Sequence, residues 1–147
     1  GVTDETPGYE FTLGKAAMLR DGADVTLAAT GLMVQRAMTA AEMLAAKGVS
    51  ARVLDFHTIK PLDTEAVLAA ARETGCIVTS EEHSVIGGLG SAVASVCAEN
   101  CPVPVVRHGV MDEFGRSGKA LEVLEAYGLT AEVMAEKAMQ ALALKKG

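Results

Sequence analysis

The chain has no tryptophan, and aromatic residues make up only 3% of it. A platform that stacks nucleic-acid bases needs more rings than that. Positive charge is also scarce: 13 Lys and Arg stand against 19 Asp and Glu, for a net charge of -6. Binding nucleic acid or an anionic membrane surface in general calls for a basic face, so both are excluded as partners. No apolar run comes near the roughly 20 residues that span a bilayer. No signal peptide is expected from its opening residues,. Three cysteines are an odd count for a disulfide framework, and a reducing cytoplasm is the expected setting,. The first residues are Gly-Val-Thr, without a Met, and the expectation is a processed or excised piece of something longer. What is abundant is aliphatic: half the residues are hydrophobic, mostly Ala, Val, Leu and Met. That suits the core of one domain and argues against intrinsic disorder.

The polar stretch 1–12, with its Thr6-Pro7-Gly8 turn, reads as a linker from an upstream domain. A domain then runs over 13–147. Lys15 to Arg20 and Val25 to Thr30 read as strands on either side of the turn Asp21-Gly22-Ala23-Asp24, short enough for antiparallel pairing,. From Met33 to Lys47 the apolar residues fall at helical spacing, with Thr30 as N-cap and Gly48 past the end,. Ala51 to Phe56 is the next strand. Asp63 caps a helix through Glu73, which Gly75 stops,. Cys76 to Ser80 is a buried-type strand. Gly87-Gly88-Leu89-Gly90 opens a helix whose Leu89, Ala92, Val93, Val96 and Cys97 share one face,. Val103 to Val106 is a last strand, placed at a sheet edge by Pro104,. Ser117 caps a helix to Tyr127, and Thr130 caps a terminal one. Alternating strands and helices predict an α/β fold: three layers, α/β/α, around a mostly parallel sheet with one antiparallel edge strand from the initial hairpin.

In such sheets ligands gather at the carboxyl ends of the strands. His57, His83 and His108 each follow a predicted strand, with Glu81, Glu82 and Arg107 beside two of them. This rim is either a small-molecule site or simply the place where chains leave the core. Gly87-Gly88-Leu89-Gly90 looks like a phosphate loop, yet the GxGxxG spacing would put its third glycine at Val93,. Close packing of helix on sheet is the competing account of these glycines. Gly115 to Lys119 misses a Walker loop, because Glu113 stands for its first glycine and Ala120 follows the lysine,. Cys97 and Cys101 lack two further ligands at zinc spacing and read as buried thiols,. Ser84 beside His83 is not triad geometry. Met33, Met38 and Met43 read as core.

Four stretches resemble one family. They are Ala29-Thr30-Gly31, then Asp55 through Asp63 (DFHTIKPLD), then Glu81 through Val93 (EEHSVIGGLGSAV), then Asp112 through Gly118 (DEFGRSG). In this order they resemble the C-terminal domain of transketolase, above all the bacterial form split into two chains. The same blocks occur in 1-deoxyxylulose-5-phosphate synthase and in the beta chain of 2-oxo-acid dehydrogenases, where the domain would serve as a docking surface. A free-standing regulatory ligand-binding domain is the reading from a different class.

The resemblance implies a mixed five-stranded sheet with the first strand antiparallel at an edge. It implies an enzyme that moves two-carbon ketol units between sugar phosphates with thiamine diphosphate and a divalent metal. Those cofactors lie between two other domains in the family, and none is expected on this chain. No catalytic, cofactor-binding or metal residue carries over. The implied partners are the N-terminal and pyrimidine-binding domains or subunit, in a whole enzyme that is a homodimer. The family's strand order places the second strand centrally and opens a crevice beside it. There Thr30 and Gly31 face Glu82, His83, Gly87, Gly88 and Gly90, and a weak anion site is expected on the helix beginning near Gly88. Val85, Ile86 and Phe114 are apolar residues in irregular stretches, joined by Met111. The first three are expected to cover a neighbouring domain or subunit.

Overall fold

The computed structural model describes residues 14–59, 61–84, 88–110 and 130–146, with backbone alone at 82–84 and 110. Its five strands are β1 (Ala17–Arg20), β2 (Val25–Ala29), β3 (Ala51–Asp55), β4 (Ile77–Ser84) and β5 (Val105–Val110). They form one sheet in the order β1-β3-β2-β4-β5. The described helices are α1 (Met33–Ala45), α2 (Thr64–Thr74), α3 (Leu89–Asn100) and α4 (Ala131–Lys146). The expected linker 1–12 and the expected helix from Ser117 to Tyr127 lie outside the described residues.

All five residues of β2 are buried, and side chains alternate between its faces,. Val25, Leu27 and Ala29 join Val53 and Val78 under α1 and α4. Ala28 joins Leu54, Phe56 and Ile77 under α2 and α3. The two apolar clusters, one on each face, are the physical content of the three-layer reading. Ala37, Ala40, Ala41, Ala138 and Ala141 are fully buried, so small side chains let α1 and α4 lie close to the sheet. Met33 is buried and Met38 and Met43 pack against the same cluster, as core residues.

β2 pairs in parallel with β3 and β4, and β4 in parallel with β5. The hairpin expectation fails in one respect. β1 is antiparallel at the edge, but it pairs with β3 and not with β2. Both sides of β2 are taken by parallel neighbours that arrive through helical crossovers. The chain from β1 to β2 therefore crosses the start of β3, with Gly22 pressed on its backbone. A Cβ on Gly22 would lie 2.2 Å from the Ala51 carbonyl carbon.

Helix ends follow local chemistry where the cap is near in sequence. Asp63 accepts the Ala66 N–H at 3.1 Å and, through its other oxygen, the Ala16 N–H at 2.8 Å. Thr130 accepts the Val133 N–H at 3.2 Å. Gly75 ends α2 in the left-handed region, at φ 80°,. Thr30 is not the side-chain cap of α1. Its carbonyl accepts the Met33 N–H instead, in a tight turn through Gly31 at φ 57°.

β4 and β5 both run further than their apolar runs suggest. β4 continues through Ser84 and β5 through Val110, paired across an irregularity between Glu81 and Ser84. Backbone pairing extends the ladder past the part of the sheet that helices cover. His83 and His108 therefore belong to strands and not to the loops after them.

At the opposite, amino end the strands are tied down by polar contacts. The Arg52 guanidinium lies 3.0 Å from Asp21 and 2.6 Å from Glu73. Lys145 donates to the carbonyls of Asp24 and Thr74 at 2.6 and 2.8 Å.

Candidate functional site at the strand carboxyl ends

β2 and β3 end side by side. Pairing on both sides of β2 continues past its end, with Phe56 N–H after β3 donating to Ala29 O at 2.9 Å and Thr30 N–H to Ser80 O of β4 at 3.2 Å. The turn at Thr30-Gly31 lifts the chain into α1 and leaves a cleft of about 500 Å³. Thr30, Gly31, Val34, Asp55, Phe56, His57 and Ile59 line it. Asp55 and His57 are two apart and fall on the same side of extended chain, so one backbone segment offers a carboxylate and an imidazole together. Asp55 Oδ2 is 3.9 Å from His57 Nδ1. Burial pushes the Asp55 carboxyl above its ordinary range, and His57 pulls it back in part,. The cleft thus combines an apolar floor with acceptor-rich polar groups, which suits hydroxyl-bearing or amine ligands better than anions.

The glycine loop before α3 is a second element of this rim, and its chemistry is already committed. Glu81, 4% exposed, accepts the Leu89 N–H at Oε1 and the Gly90 N–H at Oε2, each at 2.9 Å. The carboxylate sits where a phosphate would sit, on the positive end of the helix dipole. A Cβ on Gly90 would lie 3.0 Å from both Arg107 Cδ and Thr79 Oγ1. Close packing of α3 on β4 and β5 therefore accounts for Gly90. The Thr79 hydroxyl beneath it is buried with no hydrogen-bond partner among the described residues.

Among the described side chains, His57 and His108 are not brought together. His57 lines the cleft, whereas His108 is buried on β5 with its Nδ1 2.9 Å from Ser80 Oγ. Three strand spacings, about 14 Å, separate β3 from β5. Arg107 is exposed, with Nη1 3.4 Å from Ser91 Oγ. Of the expected rim, Thr30 and Gly31 border the cleft, and Gly88 and Gly90 stand at the start of α3. Gly87 and the side chains of Glu82 and His83 lie outside the described residues. So do Val85, Ile86, Met111 and Phe114, and with them the expected partner surface. Asp55, Val34, Phe56 and Ile59 were not singled out from the sequence. Asp55 had a legible signal, a carboxylate ending an apolar strand two residues before a histidine.

The described part of the chain does not fit a metal-diphosphate group. Among the described residues no three His, Cys, Asp or Glu come together as metal ligands. The N–H groups at the start of α3 are engaged by Glu81.

Fold and rim define the class: an α/β/α domain with a central parallel strand pair and a cleft at its carboxyl end. The chain belongs to the transketolase C-terminal domain family, whose description, "Transketolase, C-terminal domain", matches residues 14–134. It is 55% identical over 131 residues to the 6-deoxy-6-sulfo-D-fructose transketolase subunit SqwH of Clostridium sp. (strain MSTE9), covering 89% of this chain and 41% of that subunit. It is 41% identical over 141 residues to a 1-deoxy-D-xylulose-5-phosphate synthase of Heliobacterium modesticaldum (strain ATCC 51547 / Ice1), covering 95% of this chain and 22% of the synthase. A solved structure described as "Split gene transketolase, inactive beta4 tetramer" superposes with a TM-score of 0.89 at 49% identity, covering 95% of this chain and 46% of that one. The chain thus spans less than half the length of the relatives it matches.

Proposed function

We propose that this chain is the C-terminal domain of a thiamine-diphosphate-dependent transketolase that moves two-carbon ketol units between sugar phosphates. The observation that carries the reading is coverage: nearly all of this chain aligns with about two-fifths of a transketolase subunit. The cofactor and its divalent metal would bind outside this chain and supply the carbanion chemistry of ketol transfer there. This chain's own part is assembly. The proposed partners are the N-terminal and pyrimidine-binding domains or subunit, in a homodimeric enzyme in the cytoplasm. Three free thiols suit that reducing compartment,. A 1-deoxy-D-xylulose-5-phosphate synthase is the second reading, supported by similarity over 95% of the chain.

Titrating the 147-residue chain with thiamine diphosphate and magnesium in a calorimeter tests the reading. No saturable heat is expected from the chain alone, and ketol transfer is expected once the missing domains are supplied. Saturable, magnesium-dependent binding at micromolar level would overturn the assembly role. Condensation of pyruvate with a triose phosphate by the completed enzyme, in place of ketol transfer, would favour the synthase.

A further inference from the structure

α3 ends on a pair of thiols that the proposed function does not use. Cys97 is 1% exposed, and Cys101 is half-buried as the C-cap residue. Both belong to the apolar cluster between α3, α2 and the sheet. The Cys101 N–H donates to the Cys97 carbonyl at 2.9 Å, so the two residues stand one full α-turn apart. Helix geometry then puts their Cα atoms about 6 Å apart, inside the range that a disulfide spans. The two thiols also feel each other: burial pushes the Cys97 thiol up, and Cys101 pushes it further.

Neighbouring helical Cβ atoms lie about 5–6 Å apart, whereas a disulfide draws them to about 4 Å. Inside a helix that mismatch would resist closure. Here Cys101 has already left helical conformation, at φ -154° and ψ 82°, and Pro102 follows. The last turn can tighten without disturbing the helix before it.

We infer that Cys97 and Cys101 form a reversible dithiol, a modification site that closes to an intrahelical disulfide at the expense of a small-molecule disulfide of the glutathione class. The Cys101 thiolate attacks one sulfur of the oxidant, forming a mixed disulfide and releasing one thiolate. The Cys97 thiolate then attacks the Cys101 sulfur and expels the second thiolate. Two thiols lose two electrons and two protons, and the oxidant's disulfide becomes two thiols.

Incubating the 147-residue chain with glutathione disulfide and reading intact and peptide masses tests this. The expected product has lost about 2 Da, two hydrogens, with Cys97 joined to Cys101 and Cys76 still reduced. A roughly tenfold excess of glutathione should reopen it. In Cys97→Ala the glutathione adduct on Cys101 should persist, and in Cys101→Ser, at a half-buried position that tolerates the change, no 2-Da loss should occur. A lasting adduct on Cys101 of the unaltered chain would overturn the inference. So would disulfide-linked dimers, or no reaction at Cys101 under conditions that oxidise a free thiol peptide.

Discussion

Glu81 is the residue on which the rim turns. Its carboxylate satisfies two backbone donors that a helix start leaves open, and it does so while 4% exposed,. Glu81→Ala is expected to cost about 2–3 kcal/mol in urea unfolding, the loss of hydrogen bonds to a charged, buried acceptor. The same variant frees the N–H groups of Leu89 and Gly90, so sulfate should raise its melting temperature more than that of the unaltered chain. Equal sulfate effects on both would show that the carboxylate does not fill an anion position. Asp55 behaves differently. Burial raises its folded-state pKa, so between the ordinary Asp value and that raised value the folded chain binds more protons than the unfolded one. Stability from this group therefore falls as pH rises through that window and is regained below it,. Asp55→Asn should be the more stable chain at neutral pH, with the difference shrinking as pH drops from the raised value to the ordinary Asp value,. Urea midpoints of both chains across that range check it; a difference that grows toward acid pH would mean that His57, not burial, dominates.

At the scale of elements, the ends that local chemistry specifies were legible. Asp63 and Thr130 each stand three residues ahead of the N–H they accept, and Gly75 stands where a left-handed stop was needed. Thr30 had the same signature and lost its role because Gly31 makes a tight turn first. The partner of β1 was not legible, since hairpin length says only that pairing on β2 is possible. Gly22 decides the matter by letting the connection pass over Ala51. Gly22→Ala should cost at least about 2 kcal/mol, the upper part of the range for overpacking, because backbone and not a flexible side chain must move. Amide exchange should show the loss concentrated at β1 and the start of β3. A cost under half that, with β1 still protected, would argue that the crossing is loose.

At the scale of the molecule, the two ends of the sheet differ among the described residues. Arg52 and Lys145 close one end, while Thr30, Asp55 and His57 border an open cleft at the other. The proposed role in assembly calls for a partner surface, and Val85, Ile86 and Phe114 are the residues proposed for it. Footprinting by side-chain oxidation should find these three reactive in the chain alone and protected when the missing domains are added. Protection of the exposed Met18 and Leu19 instead would place the interface at the β1 edge of the sheet.

Periodicity, caps and glycine stops act within a few residues, and from them the sequence alone determined the α/β alternation, the two-faced core and most helix ends. The resemblance to the transketolase C-terminal domain rested on short blocks read in order, which is also local information. Contacts between residues close in space but not specified by spacing were left to the tertiary structure. The backbone ladder carried β4 and β5 beyond their apolar runs and so buried His108 against Ser80. That extension also brought Glu81 onto α3, eight residues away from Leu89, and gave an apparent phosphate loop its own internal anion. Among the described residues the cleft at the strand ends is lined by Asp55 and His57, two residues that burial and backbone course bring to one place.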